Sequence, residues 1–402
     1  MASAGVSRKI SAASARAHTR KKQKRSSLGV ARGVLAWAYR AARPPPPKIC
    51  GMVDGPPVTS ARINLKDGRH LSYIEIGVPK DKARHKIIFI HGFDSSKHDV
   101  FPVSEDMLND MGIYLLSFDR PGYGESDPNL KISIKSIAED IEELVDKVEL
   151  GPKFHVIGFS LGGAYVWSCL KYIPHRLAGA AIIAPASNYW WSNFPANLSK
   201  EAFSRQLVQD QWVYRVAHYF PWLTYWWNTQ KFFPASSIIA SSIDILSESD
   251  KQLLPSILAR RQNQVLGRFL FLFLKLGSSQ PSQDEVELLR RKLSPVTQVN
   301  QDILGPRLGS KESSTLHLDL TTFFGSWEFD PMDLKNPFPG NEASVHLWHG
   351  DHDRVVDASL SRYIGQKLPW IRYHEVPGKG HMFPYAEGTS NAIVKTLLLG
   401  DD

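Results

Sequence analysis

The sequence predicts an α/β fold in which helices flank a doubly wound, mostly parallel sheet. The first observation is a series of short, continuously apolar runs, each ending in a polar residue or a glycine. Such runs are typical of strands that are buried on both faces of a parallel sheet. The second observation is that helical patterns lie between several of these runs. Residues 134–149, IKSIAEDIEELVDKVE, carry apolar side chains at intervals of three and four, the period of a helix. Strands that alternate with helices in this way indicate a doubly wound sheet.

The predicted sheet starts with a hairpin and continues with six buried strands. In RINLKDGRHLSYIEIG, residues 62–77, Asp67 and Gly68 form the turn between two alternating runs. The six strands are KIIFIHG, YLLSFDR, FHVIGFS, GAAIIAP, SVHLWHG and IRYHEVPG. Chemistry in such a sheet gathers at the carboxyl ends of the strands. The polar residues at those ends are His91, Asp119, Ser160, His349 and Asp353.

The basic charge of the chain is confined to an N-terminal tail. The 402 residues include 48 Lys and Arg and 40 Asp and Glu, a net charge of +8. Residues 1–48 hold 12 of the basic residues and no acidic one, so the rest carries 36 basic and 40 acidic residues, a net charge of −4. We therefore expect no nucleic-acid partner for the body of the protein.

The tail is rich in Ala, Ser and Arg, which is typical of a plastid or mitochondrial transit peptide and also of a disordered basic arm. LGVARGVLAWAYRAA, residues 28–42, is too short and too charged to span a bilayer, but it suits a helix lying on a membrane surface. We therefore expect a plastid protein or a peripheral membrane contact through this segment. Two cysteines, Cys50 and Cys169, cannot form a disulfide framework, so nothing predicts secretion.

GFSLGG, residues 158–163, lies between a predicted strand and a predicted helix. This is the setting of a nucleophile elbow, a strained turn that projects a serine above the sheet. The turn leaves no room for side chains two residues away on either side, which explains Gly158 and Gly162. Ser160 then lies near the positive end of the following helix, where developing negative charge is stabilised.

A serine nucleophile needs a base, and the base needs an acid to orient it. LWHGDHDRVV supplies an acid just past one strand, and VPGKGHMFP supplies His381 in the loop after the next. The chain order is serine, acid and histidine, as expected for a nucleophile elbow. Asp351 and Asp353 compete for the role of the acid. We favour Asp353, which lies deeper in the loop, and interpret Asp351 as a carboxylate that caps the loop.

The oxyanion of the transition state needs hydrogen-bond donors. FIHGFDSS follows the first parallel strand, and its backbone can face the site. We expect the backbone N–H groups of Phe93 and of Leu161, the residue after the nucleophile, to supply the two donors. His91 is interpreted as a hydrogen bonder that stabilises the loop.

Residues 186–342 separate two sheet strands by too many positions for a loop and predict a largely helical cap over the strand ends. The cap divides the sheet domain into residues 56–185 and 343–400. Aromatic stripes in the cap predict mostly cap core, with some residues lining an apolar entrance for hydrophobic acyl or alcohol groups. The stripes are Trp190, Trp191, Trp212, Trp222, Trp226, Trp227 and FLFLFLKL, residues 269–276.

HGF, DRPGYGESDP, GFSLGG, HGDHD and GKGH, in this order over about residues 56–400, resemble the α/β-hydrolase superfamily. SWEFDPMDLKNPFPG and KLPWIRYHEVPGKGHMFP are further similar to a plant group of serine-type α/β-hydrolases. In that superfamily the acid follows the His-Gly pair after two intervening residues, which selects Asp353. Epoxide hydrolases and haloalkane dehalogenases have aspartate at the position of Ser160, so the serine implies ester chemistry. The resemblance implies that DRPGYGES shapes the loop and its packing.

The predicted activity is hydrolysis of a carboxylic ester, or of a related acyl bond, in a small hydrophobic substrate by Ser160, His381 and Asp353. This chemistry needs no cofactor. No metal is expected either, because residues three apart on a strand, such as His346, His349 and His352, point to alternate faces. A ligand-binding receptor that keeps the triad, or an acyltransferase with another acceptor, would have the same residues.

Overall fold

The computed structural model of the protein describes residues 32–33, 42–240, 242–257, 259, 314–340 and 342–400. The α/β fold predicted from the sequence is confirmed, since the hairpin and all six of the predicted strands that follow it are present. The strands of the described residues are β1 (Ala61–Asn64), β2 (His70–Gly77), β3 (His85–Ile90), β4 (Ile113–Phe118), β5 (Phe154–Phe159), β6 (Leu177–Ile183), β7 (Val345–Gly350) and β8 (Ile371–Val376).

The strands form one sheet in the order β1-β2-β4-β3-β5-β6-β7-β8. The first two strands pair antiparallel, with Ala61 opposite Tyr73, and β2 pairs antiparallel with β4. All other neighbours are parallel. The parallel strands therefore end at one edge of the sheet, and the loops that leave β3, β5 and β7 meet there.

Helices cover both faces of the sheet, and more helices lie between β6 and β7. The helices are α1 (Glu105–Asp110), α2 (Ile134–Lys147), α3 (Leu161–Tyr172), α4 (Ala196–Ser204), α5 (Val208–Tyr219), α6 (Thr224–Thr229), α7 (residues 248–257), α8 (Ser314–Phe324), α9 (Ala358–Lys367) and α10 (Thr389–Leu399). The predicted helix at residues 134–149 corresponds to α2. It begins at a capping box, in which the Ser133 hydroxyl accepts from the Ser136 N–H and the Ser136 hydroxyl accepts from the Ser133 N–H.

The central strands of the sheet are buried on both faces, as their continuously apolar runs predict. The expectation of a doubly buried strand was wrong for β8, which lies at the edge of the sheet and exposes Arg372 and Glu375. Ile88 on β3 belongs to the core that includes α2 and α3, whereas its neighbour Ile87 belongs to the core that includes α1 and α10. Both side chains are fully buried. Alternation along the strand thus places consecutive apolar residues in different cores, so a polar residue at either position would disrupt packing.

The described residues between β6 and β7 form helices and loops and contain no strand. The boundaries predicted for the cap, residues 186–342, remain a prediction. The run at residues 269–276 lies outside the described residues, as does the N-terminal tail except for residues 32–33 and 42–48. None of the helices that the structure describes is both long enough and apolar enough to cross a membrane.

The tryptophans of this insertion do not all form its core. Trp191 is buried, but Trp212 and Trp222 are 51% and 66% exposed. The reason for Trp212 is that α5 turns a different face inward, which buries Val213 and Tyr214. The expectation that most of the stripe forms cap core therefore does not extend to Trp212 and Trp222.

Candidate active site

Ser160 occupies a strained turn between β5 and α3. Its backbone angles are φ 56° and ψ −121°, a combination that residues with a Cβ rarely adopt. The turn is held by backbone hydrogen bonds: the Ser160 N–H donates to the Ile183 carbonyl at 2.8 Å, and the Ser160 carbonyl accepts from the Ala186 N–H at 3.1 Å. This is the elbow that the sequence predicts, with the serine at the N-terminus of α3.

The glycines on either side of Ser160 are required by close backbone contacts. A Cβ on Gly158 would lie 2.3 Å from the Gly162 carbonyl oxygen, and a Cβ on Gly162 would lie 2.1 Å from the Ile90 carbonyl oxygen. The loop after β3 approaches from the other side, since a Cβ on Gly92 would lie 3.2 Å from the Ser160 Cβ. The spacing of glycine in GFSLGG therefore has a steric cause.

His381 and Asp353 form a buried pair at the ends of β8 and β7. The His381 Nδ1 lies 2.7 Å from the Asp353 Oδ2. Asp351 makes no side-chain hydrogen bond with the described residues, and its Oδ1 is buried without a partner. The expected role of Asp351 as a loop cap was therefore wrong: Asp353 performs it, because its Oδ1 accepts from the N–H groups of Val355 and Val356 at 2.8 and 2.9 Å.

His349 gives Asp353 a further hydrogen bond. The His349 Nε2 lies 3.1 Å from both the Asp353 Oδ2 and the Val356 carbonyl, which are acceptors, so we assign the proton to Nε2. Its Nδ1 then accepts from the Ser361 hydroxyl at 2.8 Å. The sequence predicts only that His349 lies at a strand end. In the structure its ring holds the Asp353 carboxylate in place.

These contacts shift the pKa of both members of the pair. Burial would raise the pKa of Asp353, but the charge of His381 and the hydrogen bonds from His349 and His381 outweigh it and hold this pKa well below its usual range. Burial would lower the pKa of His381, but the negative charges of Asp353 and Asp250 and the hydrogen bond with Asp353 raise it above the usual value. Asp353 is therefore a carboxylate that stabilises a protonated His381.

Asp250, which the sequence analysis missed, holds the loop that carries His381. This fully buried residue of α7 accepts from the backbone N–H groups of His381 and Met382 at 3.0 and 2.7 Å. The Ser249 hydroxyl accepts from the Gly380 N–H at 2.9 Å. A Cβ on Gly380 would lie 2.1 Å from an Asp250 carboxylate oxygen, so the loop and α7 are in close contact.

The two predicted oxyanion donors lie beside Ser160. Phe93 and Leu161 both line cavity space at the serine. Neither backbone N–H donates a hydrogen bond to another described residue. Leu161 is the first residue of α3, whose N-terminal N–H groups have no acceptor within the helix. Both N–H groups are therefore without a partner among the described residues, and their role as oxyanion donors stays a prediction.

A buried ion pair fixes the loop that carries Phe93. Arg120 donates to the backbone carbonyls of His91 and Gly92 at 3.1 and 3.0 Å, and it binds both carboxylate oxygens of Asp319 on α8 at 2.9 and 2.8 Å. His91 accepts from the Arg120 N–H through Nε2 at 3.0 Å. Burial and the Arg120 charge lower the pKa of His91 to about 4, so it stays neutral. His91 stabilises the loop as expected, and DRPGYGES shapes it through Arg120.

Ser160 and His381 face the same cavity without a hydrogen bond between their side chains. Catalytic hydrogen bonds of this kind are often long in unliganded proteins and tighten when substrate binds. Phe159 packs against the His381 ring, with centroids 5.1 Å apart. The geometry therefore leaves the serine hydroxyl and the His381 Nε2 available to a ligand in one cavity.

The histidines of β7 contact different parts of the protein. The His346 Nδ1 lies 2.9 Å from the His374 Nε2 on β8, whereas the His349 Nε2 contacts Asp353 in the loop after β7. Among the described residues, no group of three or more histidine, cysteine or acidic side chains could hold a metal ion.

Comparison with known proteins identifies the family of the fold. The sequence model of the alpha/beta hydrolase fold family matches residues 86–387. Protein ABHD14A of Rattus norvegicus is 26% identical over 173 residues, which cover 42% of this chain and 71% of that protein. The "Probable lysophospholipase BODYGUARD 2" of Arabidopsis thaliana is 21% identical over 320 residues, which cover 77% of this chain but only 58% of the relative.

A solved structure shows the same fold. The enol-lactonase from Burkholderia xenovorans LB400 superimposes with a TM-score of 0.52 at 14% identity, over 84% of this chain and 99% of that protein. The family match spans most of the sheet and the insertion. The chain therefore belongs to the α/β-hydrolase fold family and is a hydrolase of that fold.

Proposed function

We propose that this protein is a serine hydrolase that cleaves a carboxylic ester of a small, largely apolar substrate. The observation that carries the proposal is the strained Ser160 turn, which faces the same cavity as His381, the partner of the buried Asp353. The name of the Arabidopsis relative, a probable lysophospholipase, also denotes ester hydrolysis. The apolar substrate is supported by the side chains that line the cavities at Ser160, which include Phe93, Ile238 and Val355.

In the proposed acylation step, the Ser160 oxygen attacks the carbonyl carbon of the ester. The His381 Nε2 takes the hydroxyl proton, and the Asp353 carboxylate stabilises the resulting imidazolium. The oxyanion then collapses to a carbonyl, the bond between the acyl carbon and the alcohol oxygen breaks, and His381 donates its proton to the leaving oxygen. Water repeats the sequence on the acyl-serine and releases the acid.

The oxyanion of each tetrahedral intermediate accepts hydrogen bonds from the N–H groups of Phe93 and Leu161. Such donors are effective because they are held in place before the charge forms. Here Arg120 and Asp319 fix the loop that carries Phe93, and α3 fixes Leu161. Loss of one such donor typically costs about 100- to 1,000-fold in kcat.

The pH dependence of the reaction should report His381. Only the neutral imidazole accepts the serine proton, so kcat/KM should fall as the pH drops through the pKa of His381. Burial alone would lower this pKa, but the negative charges of Asp353 and Asp250 outweigh burial and raise it. The midpoint of the profile should therefore lie above the ordinary histidine value of about 6.5.

Asp250→Asn should move that midpoint to lower pH, because a negative charge beside His381 is removed. It should also lower kcat by about 10- to 100-fold, since the amide cannot accept both backbone N–H groups and the loop shifts. Glu248→Gln is the matched control, an exposed carboxylate on the same helix that pairs with Lys251 instead. An unchanged midpoint in Asp250→Asn would show that Asp250 does not act on His381.

The proposed function is tested by turnover and by a mechanism-based inhibitor. The purified protein should hydrolyse p-nitrophenyl butyrate, and one equivalent of a fluorophosphonate should abolish the activity. Full activity after fluorophosphonate treatment would contradict the serine mechanism. Binding of esters without any turnover would identify a receptor, and acyl transfer that requires an added alcohol would identify an acyltransferase.

A further inference from the structure

The cavity space at Ser160 is divided into two compartments. The outer compartment has a volume of about 150 Å³ and the inner one of about 50 Å³. Phe93, Ser160, Ile238 and Val355 line both, so the two compartments meet at the nucleophile. A substrate attacked by Ser160 must place one of its halves in each compartment.

The position of His381 determines which half enters which compartment. His381 lines the outer compartment only, whereas Leu161, with its free N–H, lines the inner one only. The leaving oxygen must lie within hydrogen-bond distance of His381 to receive a proton. The alcohol half therefore occupies the outer compartment, and the acyl half occupies the inner one.

The inner compartment is small for an acyl chain. A cavity of about 150 Å³ holds a benzene molecule, so about 50 Å³ admits only a few heavy atoms. The wall is aromatic: Tyr189, Tyr214 and Phe324 line it, and the Tyr214 and Phe324 rings stack with centroids 4.1 Å apart. Burial raises the pKa of Tyr189 and of Tyr214, so both stay neutral.

The wall that α8 contributes to the inner compartment is held in place by a buried ion pair. Asp319 and Leu320 on α8 line it. Asp319 is bound on both carboxylate oxygens by Arg120, and it also accepts from Tyr123 and Tyr165, at 2.5 and 2.9 Å. Breaking such a buried ion pair is strongly destabilising. A longer chain that extends toward α8 would have to displace this wall.

We infer that the inner compartment selects short acyl groups, of about two to four carbons, and that the outer compartment admits an alcohol half about as large as a benzene ring. This inference rests on the proposed function. It assigns Leu320 and Phe324 as residues that determine acyl-chain length. The substrate class is then a short-chain acyl ester of a bulkier alcohol or phenol.

A series of p-nitrophenyl esters from acetate to decanoate tests the inference, since the leaving group matches the outer compartment. The kcat/KM should be highest between acetate and butyrate and should fall at least about 100-fold from butyrate to octanoate. Activity that depends on Ser160 and stays level or rises up to decanoate would overturn the inference while leaving the proposed function intact. Absence of any ester hydrolysis would overturn the proposed function itself.

Two variants that enlarge the inner compartment separate chain selection from general damage. Leu320→Ala and Phe324→Leu should each move the chain-length optimum of kcat/KM to longer esters. One variant that folds is enough for the test. Leu254→Ala, which enlarges the outer compartment, is the control and should leave the chain-length optimum where it is. An optimum that stays at short chains in both folded inner-wall variants would also overturn the inference.

Discussion

Replacing either Ser160 or His381 with alanine should lower kcat by about 10⁵- to 10⁶-fold. Without Ser160 there is no nucleophile on the elbow, and without His381 nothing removes its proton. The two residues act as one unit, so the double variant should be no slower than either single variant. Steady-state hydrolysis of p-nitrophenyl butyrate measures all three.

His352→Ala is the matched control for His381→Ala. His352 is exposed in the loop after β7, which also carries Asp353. Its backbone N–H donates to the Lys379 carbonyl, and its imidazole is not part of the His381–Asp353 pair. Its loss should change kcat by less than about threefold. If His381→Ala kept more than a tenth of the wild-type activity, His381 would not be the base.

Asp353→Asn should lower kcat by about 10⁴-fold, the cost expected when the histidine is held in the wrong tautomer. The Asp353 Oδ2 accepts from the His381 Nδ1 at 2.7 Å, and an asparagine NH₂ at this position would instead require Nδ1 to be the acceptor. The proton would then sit on Nε2, where the base must be free. Loss of the carboxylate charge should also lower the pKa of His381, because this charge is the strongest of the interactions that raise it.

Asp351→Asn is the control that the chain itself offers, two residues away in the same loop. Its side chain makes no hydrogen bond with the described residues, so the change should cost less than about tenfold in kcat. Kinetics and thermal unfolding of both variants separate catalysis from stability. The reverse ranking would assign the acid role to Asp351.

The sheet was predictable because burial on both faces leaves a plain pattern in the sequence. A continuous apolar run such as KIIFIHG is typical of a strand that packs against helices on both faces of the sheet. Ile87 and Ile88 of this run belong to the cores on opposite faces. The Ser160 elbow was predictable for a related reason. Its glycines are imposed by contacts within a few residues, so the constraint is visible in a short window.

The supports of the site were not predictable, because they join positions far apart in the chain. Asp250 reaches His381 across 131 residues, and Arg120 reaches Asp319 across 199. The residues around Asp250 in the sequence do not indicate that its carboxylate binds a loop 131 residues away. Hydrophobicity alone also does not show which cap aromatics line the site: among the described residues no tryptophan lines either compartment, whereas Tyr189, Tyr214, Phe323 and Phe324 line the inner one.

The position of a fluorophosphonate adduct is the most direct test of the central claim, that Ser160 is the activated nucleophile. The protein should be labelled to one equivalent, digested and analysed by tandem mass spectrometry. We predict that the adduct lies on Ser160 and that the Ser160→Ala variant remains unlabelled, while Ser187→Ala, another serine of the inner compartment, is labelled like the wild type. An adduct on any other residue, or labelling that persists in Ser160→Ala, would contradict the account.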